Sequence, residues 1–462
     1  MKHWDIFCRV IDNYGDAGVC WRLAKQLSEE YGLSVRLWID DLSTLACLAP
    51  DISPHQATQT IRPGLTVCHW RTPFPETHSA DVVIEAFACT LPESYVYAMA
   101  QQPTKPIWIN LEYLSMEDWV AGCHGLASPH PSFDLTKYFF FPGPTAGGLL
   151  REQDLEKHQR SWGNDIYQSV DSVTDQDLRK LVQPRHADED STICAAPYQG
   201  TRTVEQIRWP ACTASLPWRE RSSKPVRQGE LSRGFEQHAA SLRNGLRMQA
   251  QTHPARATQP GQFCLSPIYV SLFAYHNPAL PSLLSTWAKG PQTVHCRVPI
   301  GFATKQACSF FEKETLQAGE LLKTGALIFE VLPFVSQTQY DQLLWQSDLN
   351  FVRGEDSFVR GQLAGQPLIW QVYPQQEQVH LNKLDAFLKL YSASLSDQAQ
   401  AALTQFHYAW NSKQDCTAEW QAIYHYFDEL KQHTQHWRDH LYSQNDLTRN
   451  MYEFVHKKLQ QR

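Results

Sequence analysis

Apolar strand-like runs alternate with helical segments along the first 150 residues, and a chain built this way folds as a parallel sheet with helices on its faces. Ile6 to Ile11 reads as a first strand. Gly18 to Tyr31 carries Val19, Leu23 and Leu27 in a helical stripe, and Gly32 reads as its C-terminal stop. Ser34 to Ile39 is a second strand. Asp81 to Phe87 holds the continuous Val82-Val83-Ile84 expected of a strand buried on both faces. Leu91 to Gln101 reads as a helix and Pro106 to Leu111 as a strand. The pattern returns with strands at Leu265 to Ala274, Ala326 to Leu332, Asn350 to Val352 and Pro367 to Tyr373, and helices at Gln337 to Gln346 and Asp356 to Ala364. A second α/β domain follows. From about Ala401 to Gln461 the chain is largely helical, with Trp420, Tyr424, Phe427 and Leu430 on one face.

Between the two α/β regions the composition changes sign. Residues 201–260 carry a net charge of +6, whereas the rest of the chain carries −13. Only eight of those sixty residues are Leu, Ile, Val or Phe, too few to build a core. The stretch 185–262 therefore reads as a disordered basic insertion. Phe235 to Met248 could make one short helix within it.

The net charge of −7 argues against a nucleic-acid or anionic-membrane binder. No apolar run is long enough to span a bilayer, and Asp5, Arg9 and Asp12 interrupt the first apolar stretch, so no signal peptide is expected. The twelve cysteines form no C-x-x-C pair and lie partly inside apolar runs. They read as small buried hydrophobes in a reducing cytoplasm.

Two turns carry chemistry. Asp12-Asn13-Tyr14-Gly15-Asp16-Ala17-Gly18 joins the first strand to the first helix, at the carboxyl edge where such sheets bind ligands. It is not a dinucleotide fingerprint. Asp16 would repel a phosphate, so it reads as a base or as the partner of a cationic substrate; Asp12 reads equally well as a helix cap. The second turn is Arg353-Gly354-Glu355-Asp356-Ser357-Phe358-Val359-Arg360. Arg353 supplies a permanent charge and a fork of donors suited to a diphosphate. The helix start beside it offers free N–H groups. Glu355 either orients Arg353 or helps hold Asp16 and the acceptor. Gly361, costly inside a helix, points to close packing or substrate approach. Two such edges facing across a cleft describe a glycosyltransferase of the GT-B type.

These runs, together with Trp21-Arg22-Leu23, Glu85-Ala86-Phe87-Ala88-Cys89, Trp108 to Ser115, Gly147-Gly148-Leu149 with Arg151-Glu152, Pro333-Phe334-Val335, Tyr340 to Leu344, and Tyr373-Pro374-Gln375 with His380-Leu381, resemble the bacterial protein-arginine rhamnosyltransferases that modify elongation factor P. The resemblance covers most of 1–184 and 263–462. It implies two Rossmann-like domains: 1–165 on the acceptor side, completed by helices at about 433–462, and 166–432 binding the nucleotide sugar. It implies inverting, metal-independent transfer of rhamnose from dTDP-rhamnose to an arginine of elongation factor P, with no cofactor. By position, Asp16 and Glu355 match the family's catalytic residues, and Asn13 and Gly15 its acceptor-side loop. Tyr275, Gln337, Arg353, Gly354, Glu355, Asp356 and Ser357 match its donor-binding set. Phe334 and Tyr340 are candidates for a thymine pocket. The chain departs from the family's pattern in the insertion and in a short, proline-rich Phe141 to Gly147 segment. Rival readings are a GT-B-like transferase or epimerase with another acceptor, and an inactive docking protein for a translation factor; intact Asp16 and Glu355 argue against the latter. Two D-x-D triplets, Asp175-Gln176-Asp177 and Asp188-Glu189-Asp190, follow no apolar strand and read as a helix start and a solvated charge run.

Overall fold

A computed structural model describes residues 2–12, 14–161, 267–374, 380–412 and 415–461. The expected insertion at 185–262, its possible helix and both D-x-D triplets lie outside the described residues, as does Asn13.

The first sheet has eight strands. They are β1 (His3–Cys8), β2 (Ser34–Ile39), β3 (Thr58–Arg62), β4 (Leu65–His69), β5 (Val82–Ala86), β6 (Ile107–Leu111), β7 (Ala127–Pro129) and β8 (Thr136–Phe140), in the order β3-β4-β2-β1-β5-β6-β8-β7. Only the outermost pairs, β3–β4 and β7–β8, are antiparallel. Helices α1 (Tyr14–Glu29), α2 (Leu42–Leu48), α3 (Glu93–Gln101) and α4 (Val120–Cys123) connect the strands. The central strands bury both faces. Ile6, Leu37 and Ile84 pack toward α1, and Phe7, Trp38 and Val83 pack into an aromatic layer with Trp70 and Tyr95.

The second sheet has six strands: β9 (Ile268–Leu272), β10 (Val294–Pro299), β11 (Leu321–Thr324), β12 (Leu327–Leu332), β13 (Leu349–Arg353) and β14 (Leu368–Gln371). Their order is β11-β12-β10-β9-β13-β14, and only β11–β12 is antiparallel. Its helices are α5 (Leu280–Lys289), α6 (Phe302–Phe310), α7 (Gln337–Trp345) and α8 (Asp356–Ala364). Five more follow: α9 (His380–Tyr391), α10 (Asp397–Asn411), α11 (Thr417–His425), α12 (Phe427–Ser443) and α13 (Leu447–Gln460). Two parallel-dominated sheets with flanking helices are the architecture expected of a GT-B protein.

In each sheet the chain reverses direction beside the first strand, β1 or β9. The switch points therefore lie at the carboxyl ends of β1 and β9. The first strand stops at Cys8 rather than Ile11. Beyond it the N–H groups of Val10, Ile11 and Asp12 turn to the carboxylates of Asp40 and Asp16 instead of a neighbouring strand. Helix α1 starts at Tyr14, four residues earlier than its apolar stripe suggests, and Gly32 follows it with φ +62°. Gly361 of α8 answers to packing, because a Cβ there would lie 3.0 Å from Val352 Cγ1 on β13. Helix α12 keeps Leu430, Trp437 and Leu441 in the second core, while Leu447, Met451 and Val455 of α13 enter the first. The return to the first sheet thus falls at α13, later than about residue 433, because the apolar stripe of α12 still faces the second core.

Between the sheets α1 meets α7 and α8 through buried charges. The Arg360 guanidinium holds Asp341 with two parallel bonds of 2.8 and 2.7 Å and reaches Glu152 at 2.7 Å. Arg22 of α1 donates to the same two carboxylates, to Glu152 at 3.1 Å and to Asp341 at 3.3 and 3.2 Å. Its Nε pairs with Asp356 at 3.2 Å. Asp341 is the more deeply buried of the two shared anions, so its loss would leave two guanidinium groups buried with too few counter-charges. Removing one partner of a buried pair costs about 3–5 kcal/mol. Asp341→Ala should lower unfolding stability in urea by about 3 kcal/mol or more, whereas exchanging the exposed Asp439 should change it little.

Candidate active site

The site forms where the two switch points abut. Asp16, the third residue of α1, turns back so that its Oδ2 accepts the N–H groups of Ile11 and Asp12 at 2.8 and 2.9 Å. Its Oδ1 accepts the Tyr113 hydroxyl at 3.3 Å. Asp16 therefore both closes the helix start, as a cap would, and presents a buried carboxylate. Burial raises its pKa to about 6, against the two backbone donors. Gly15 lies tight against Asp12, where a Cβ would meet Oδ2 at 2.8 Å.

Asp12 crosses to the second sheet. Its Oδ2 accepts the Tyr275 hydroxyl at 2.8 Å, so it is a bridging group rather than a helix cap. Burial raises its pKa, opposed by Tyr275 and the nearby Arg353. Gly354, at φ +59°, is required here: a Cβ would stand 2.7 Å from Asp12 Oδ2 and 2.8 Å from the Tyr275 hydroxyl. The Trp370 indole N–H holds the Gly354 carbonyl at 2.8 Å.

Arg353 ends β13 and is buried. Its guanidinium lies over the rings of Phe273, Tyr275 and Phe302, at 4.3, 4.4 and 5.5 Å. Its Nη1 is buried without a hydrogen-bond partner. A desolvated donor left open in an aromatic cage has the chemistry to receive an anion. Beside it, helix α8 has no side-chain cap. The Ser357 hydroxyl is taken by the Arg353 backbone, accepting its N–H and donating to its carbonyl. The Asp356 carboxylate pairs with Arg22. What these two residues can offer a ligand is therefore backbone N–H.

Glu355 points toward the first sheet. Its Oε2 accepts the Leu114 N–H at 2.9 Å, and its Oε1 lies 3.6 Å from Lys383 Nζ. Burial raises its pKa to about 7, opposed by Lys383 and Leu114 and reinforced by Asp16 and Asp12. The Gln337 amide donates to the Gly18 carbonyl of α1 at 3.2 Å. Phe334 faces the Tyr14 ring, with centroids 5.0 Å apart. Tyr340 is buried and packs on Phe273. The structure thus gathers Asp16, Glu355, Tyr275, Arg353 and Gly354 closely, and places Gln337 and Asp356 at the contact between the sheets.

Four residues of this site escape a reading of the sequence: Tyr113, Phe273, Phe302 and Lys383. Tyr113 stacks on Phe87 at 4.5 Å and 15°. Phe87, Ala88 and Thr90 all take left-handed backbone conformations, which cost a non-glycine residue about 1–2 kcal/mol each. That strained turn delivers the Phe87 ring to Tyr113. Burial, with the charges of Asp16 and Glu355, pushes the Tyr113 hydroxyl far above its ordinary range, so it stays a donor. The run Trp108 to Ser115 contained Tyr113 and the strand Leu265 to Ala274 contained Phe273, but nothing in them told these aromatics from core.

The raised pKa of Asp16 carries a sign. A carboxyl that holds its proton more tightly when folded weakens the fold once it ionises; the penalty is absent below about pH 4 and complete above about pH 6. Asp16→Asn keeps an acceptor for the two N–H groups and removes the buried charge. It should be more stable than the parent at pH 8 by roughly 1–3 kcal/mol, with the difference vanishing by about pH 4. Urea titrations at the two pH values measure it.

Comparison with known proteins converges on one family. The family model described as Elongation-Factor P (EF-P) rhamnosyltransferase EarP matches residues 4–195 and 234–456. The gap between the two stretches falls inside the expected insertion. The chain is 39% identical over 461 residues to a protein-arginine rhamnosyltransferase of Pseudomonas putida, covering 99% of both chains. It is 36% identical over 456 residues to that of Pseudomonas aeruginosa, covering 98% of this chain and 99% of the other. A solved structure concerned with EarP-mediated arginine glycosylation of translation elongation factor EF-P is similar over 99% of both chains, with 28% identity and a TM-score of 0.55. With a family model and full-length relatives meeting on a chain whose two switch points present this set of charges, the protein belongs to the EarP family of EF-P rhamnosyltransferases.

Proposed function

We propose that this protein transfers rhamnose from dTDP-rhamnose to an arginine side chain of EF-P, in the cytoplasm, with inversion at the anomeric carbon. Family membership supports the activity. The observation that carries the donor assignment is the buried, unpartnered Nη1 of Arg353 beside the uncapped start of α8. Together they offer a fixed charge and backbone donors to a diphosphate. Asp12 shares this corner through Tyr275, and an arriving diphosphate would displace its carboxylate from it. Among the described residues no helix is long and apolar enough to cross a membrane.

The acceptor sets the harder problem. A guanidinium stays protonated at neutral pH, with its lone pairs delocalised, and cannot attack carbon in that state. In the proposed step the Asp16 carboxylate binds it and takes one proton as the N–C bond forms. The C–O bond to the diphosphate breaks on the opposite face, and the departing charge falls on Arg353 and the helix start. Glu355 holds the guanidinium from the second side. Asp16 belongs to the first sheet and Arg353 to the second, which supports a base and a leaving-group site on opposite sides of the anomeric carbon, as inversion requires. The burial of Asp16 and Arg353 strengthens both interactions.

Incubation with dTDP-rhamnose and EF-P, followed by intact-mass measurement of EF-P, tests the assignment; a gain of one deoxyhexose on arginine is expected. An unmodified EF-P would send the search to another acceptor. Asp16→Asn should keep donor affinity within a few-fold yet slow transfer at least about a hundredfold, the scale of a lost general base. In the parent enzyme kcat/KM should fall on acidification, with midpoints between about 6 and 7, because Asp16 and Glu355 must be ionised to receive the cation. Arg353→Lys should weaken donor binding about tenfold in calorimetry, since a point charge replaces a planar fork, and chelator should leave the parent affinity unchanged.

A further inference from the structure

Lys383 lies in the first turn of α9, where a cation opposes the helix dipole and nothing in the helix calls for one. Its side chain leaves the helix to place Nζ 3.6 Å from Glu355 Oε1 and 5.6 Å from the centre of the Tyr113 ring. Both partners belong to the candidate site, and Tyr113 is the residue that touches Asp16. The side chains of Lys383 and Glu355 are only 22% and 20% exposed, so the contact is partly shielded from solvent.

The groups that face Glu355 come from three directions. Lys383 approaches from α9. The Leu114 N–H and the Tyr113 ring come from the segment after β6. Asp12 and Asp16 stand at the start of α1. Lys383 is the cation in this set; it pairs with Glu355 and also acts at longer range on Glu112, which lies two residues before Leu114. Resting on the transfer reaction proposed above, we propose that Lys383 is the positioning residue for Glu355, holding its carboxylate toward the side of the site where the acceptor guanidinium binds.

The consequence separates the roles of the two carboxylates. Asp16 must accept a proton during the reaction, whereas Glu355 must remain an anion to hold the guanidinium. Asp16 has two backbone N–H groups and Tyr113; Glu355 has one N–H and Lys383. Without the ammonium, burial and two neighbouring carboxylates would drive Glu355 to its neutral form at neutral pH, and the acceptor would lose one of its two counter-charges.

The test is the pH dependence of rhamnose transfer by the full-length parent, Lys383→Met, Lys383→Gln and Lys383→Arg. In the Met and Gln variants the acid limb of kcat/KM for EF-P should move up by about one unit. That means roughly a fivefold loss at pH 7, approaching tenfold at about pH 6, with activity returning to within about threefold of the parent at pH 9. Donor affinity by calorimetry should stay within twofold, which also reports a folded protein. Lys383→Arg should keep the limb in place. An unmoved limb, or an equal loss at every pH, overturns the proposal and leaves Lys383 a packing residue. A second readout does not require turnover: the infrared titration of Glu355, isolated by subtracting Glu355→Gln, should shift upward in Lys383→Met. If the parent itself transfers no rhamnose, the functional reading fails. The infrared shift then still decides the pairing, and an unmoved titration overturns it.

Discussion

The contact between the two sheets rests on Asp341. One carboxylate receives two guanidinium groups, Arg360 from its own side and Arg22 from α1, and Glu152 joins the same pair. Buried ion pairs of this kind add little net stability, because desolvation offsets the attraction. Their effect is geometric. The planar forks of Arg22 and Arg360 accept few arrangements around a shared carboxylate, so α1 and α8 are fixed in rotation as well as distance. Helix α1 begins at the β1 switch point and α8 at the end of β13, beside the β9 switch point, and each beginning carries part of the site. Fixing the helices fixes the spacing of Asp16 and Arg353.

Two smaller contacts refine that placement. Gly18 lets α1 approach so closely that the Gln337 amide reaches its carbonyl, and a Cβ there would meet Gln337 Nε2 at 3.0 Å. Gly354 does the same for Asp12 and Tyr275 on the other side. Asp356, adjacent to the catalytic Glu355 candidate, sends its side chain into the Arg22 pair. The first turn of α8 thus divides its work: side chains tie the sheets together, and backbone N–H groups are left uncapped for the proposed donor.

Within the site the charges are separated by surroundings rather than by distance alone. Arg353 sits on aromatic faces, which attract its charge without using its donors. Asp12, Asp16 and Glu355 are each pushed toward protonation by burial and drawn back by a different donor: a tyrosine, a pair of amides, a lysine. Carboxyl groups held near neutrality can bind a cation and then accept its proton, which a solvated aspartate does poorly. The arrangement costs stability, as does the strained Phe87 to Thr90 turn, and the large cores of both sheets carry that cost.

Periodicity made most of the architecture legible. Ser34–Ile39 and Asp356–Ala364 fall where their side-chain patterns place them, and the central strands lie within a few residues of theirs. Backbone hydrogen bonding and burial act locally there, so neighbouring residues suffice. The strand ending at Cys8 did not follow its apolar run, because Asp16 captures the next amides from within the following helix. Asp12, Asp16, Arg353 and Glu355 stood out because charged residues at a strand-to-helix turn are unusual and chemically demanding. Tyr113, Phe273, Phe302 and Lys383 did not, since an aromatic or a lysine in an α/β chain has many ordinary uses. Their importance comes from meeting Asp16, Arg353 and Glu355 across long stretches of sequence. The bond from Arg22 to Asp341 spans 319 residues and that from Tyr275 to Asp12 spans 263. The sequence by itself determined which segments become strands and helices and which turns carry charge. Only the tertiary structure decided which charges meet, because a pairing between distant side chains depends on how two sheets pack, and no local pattern encodes that.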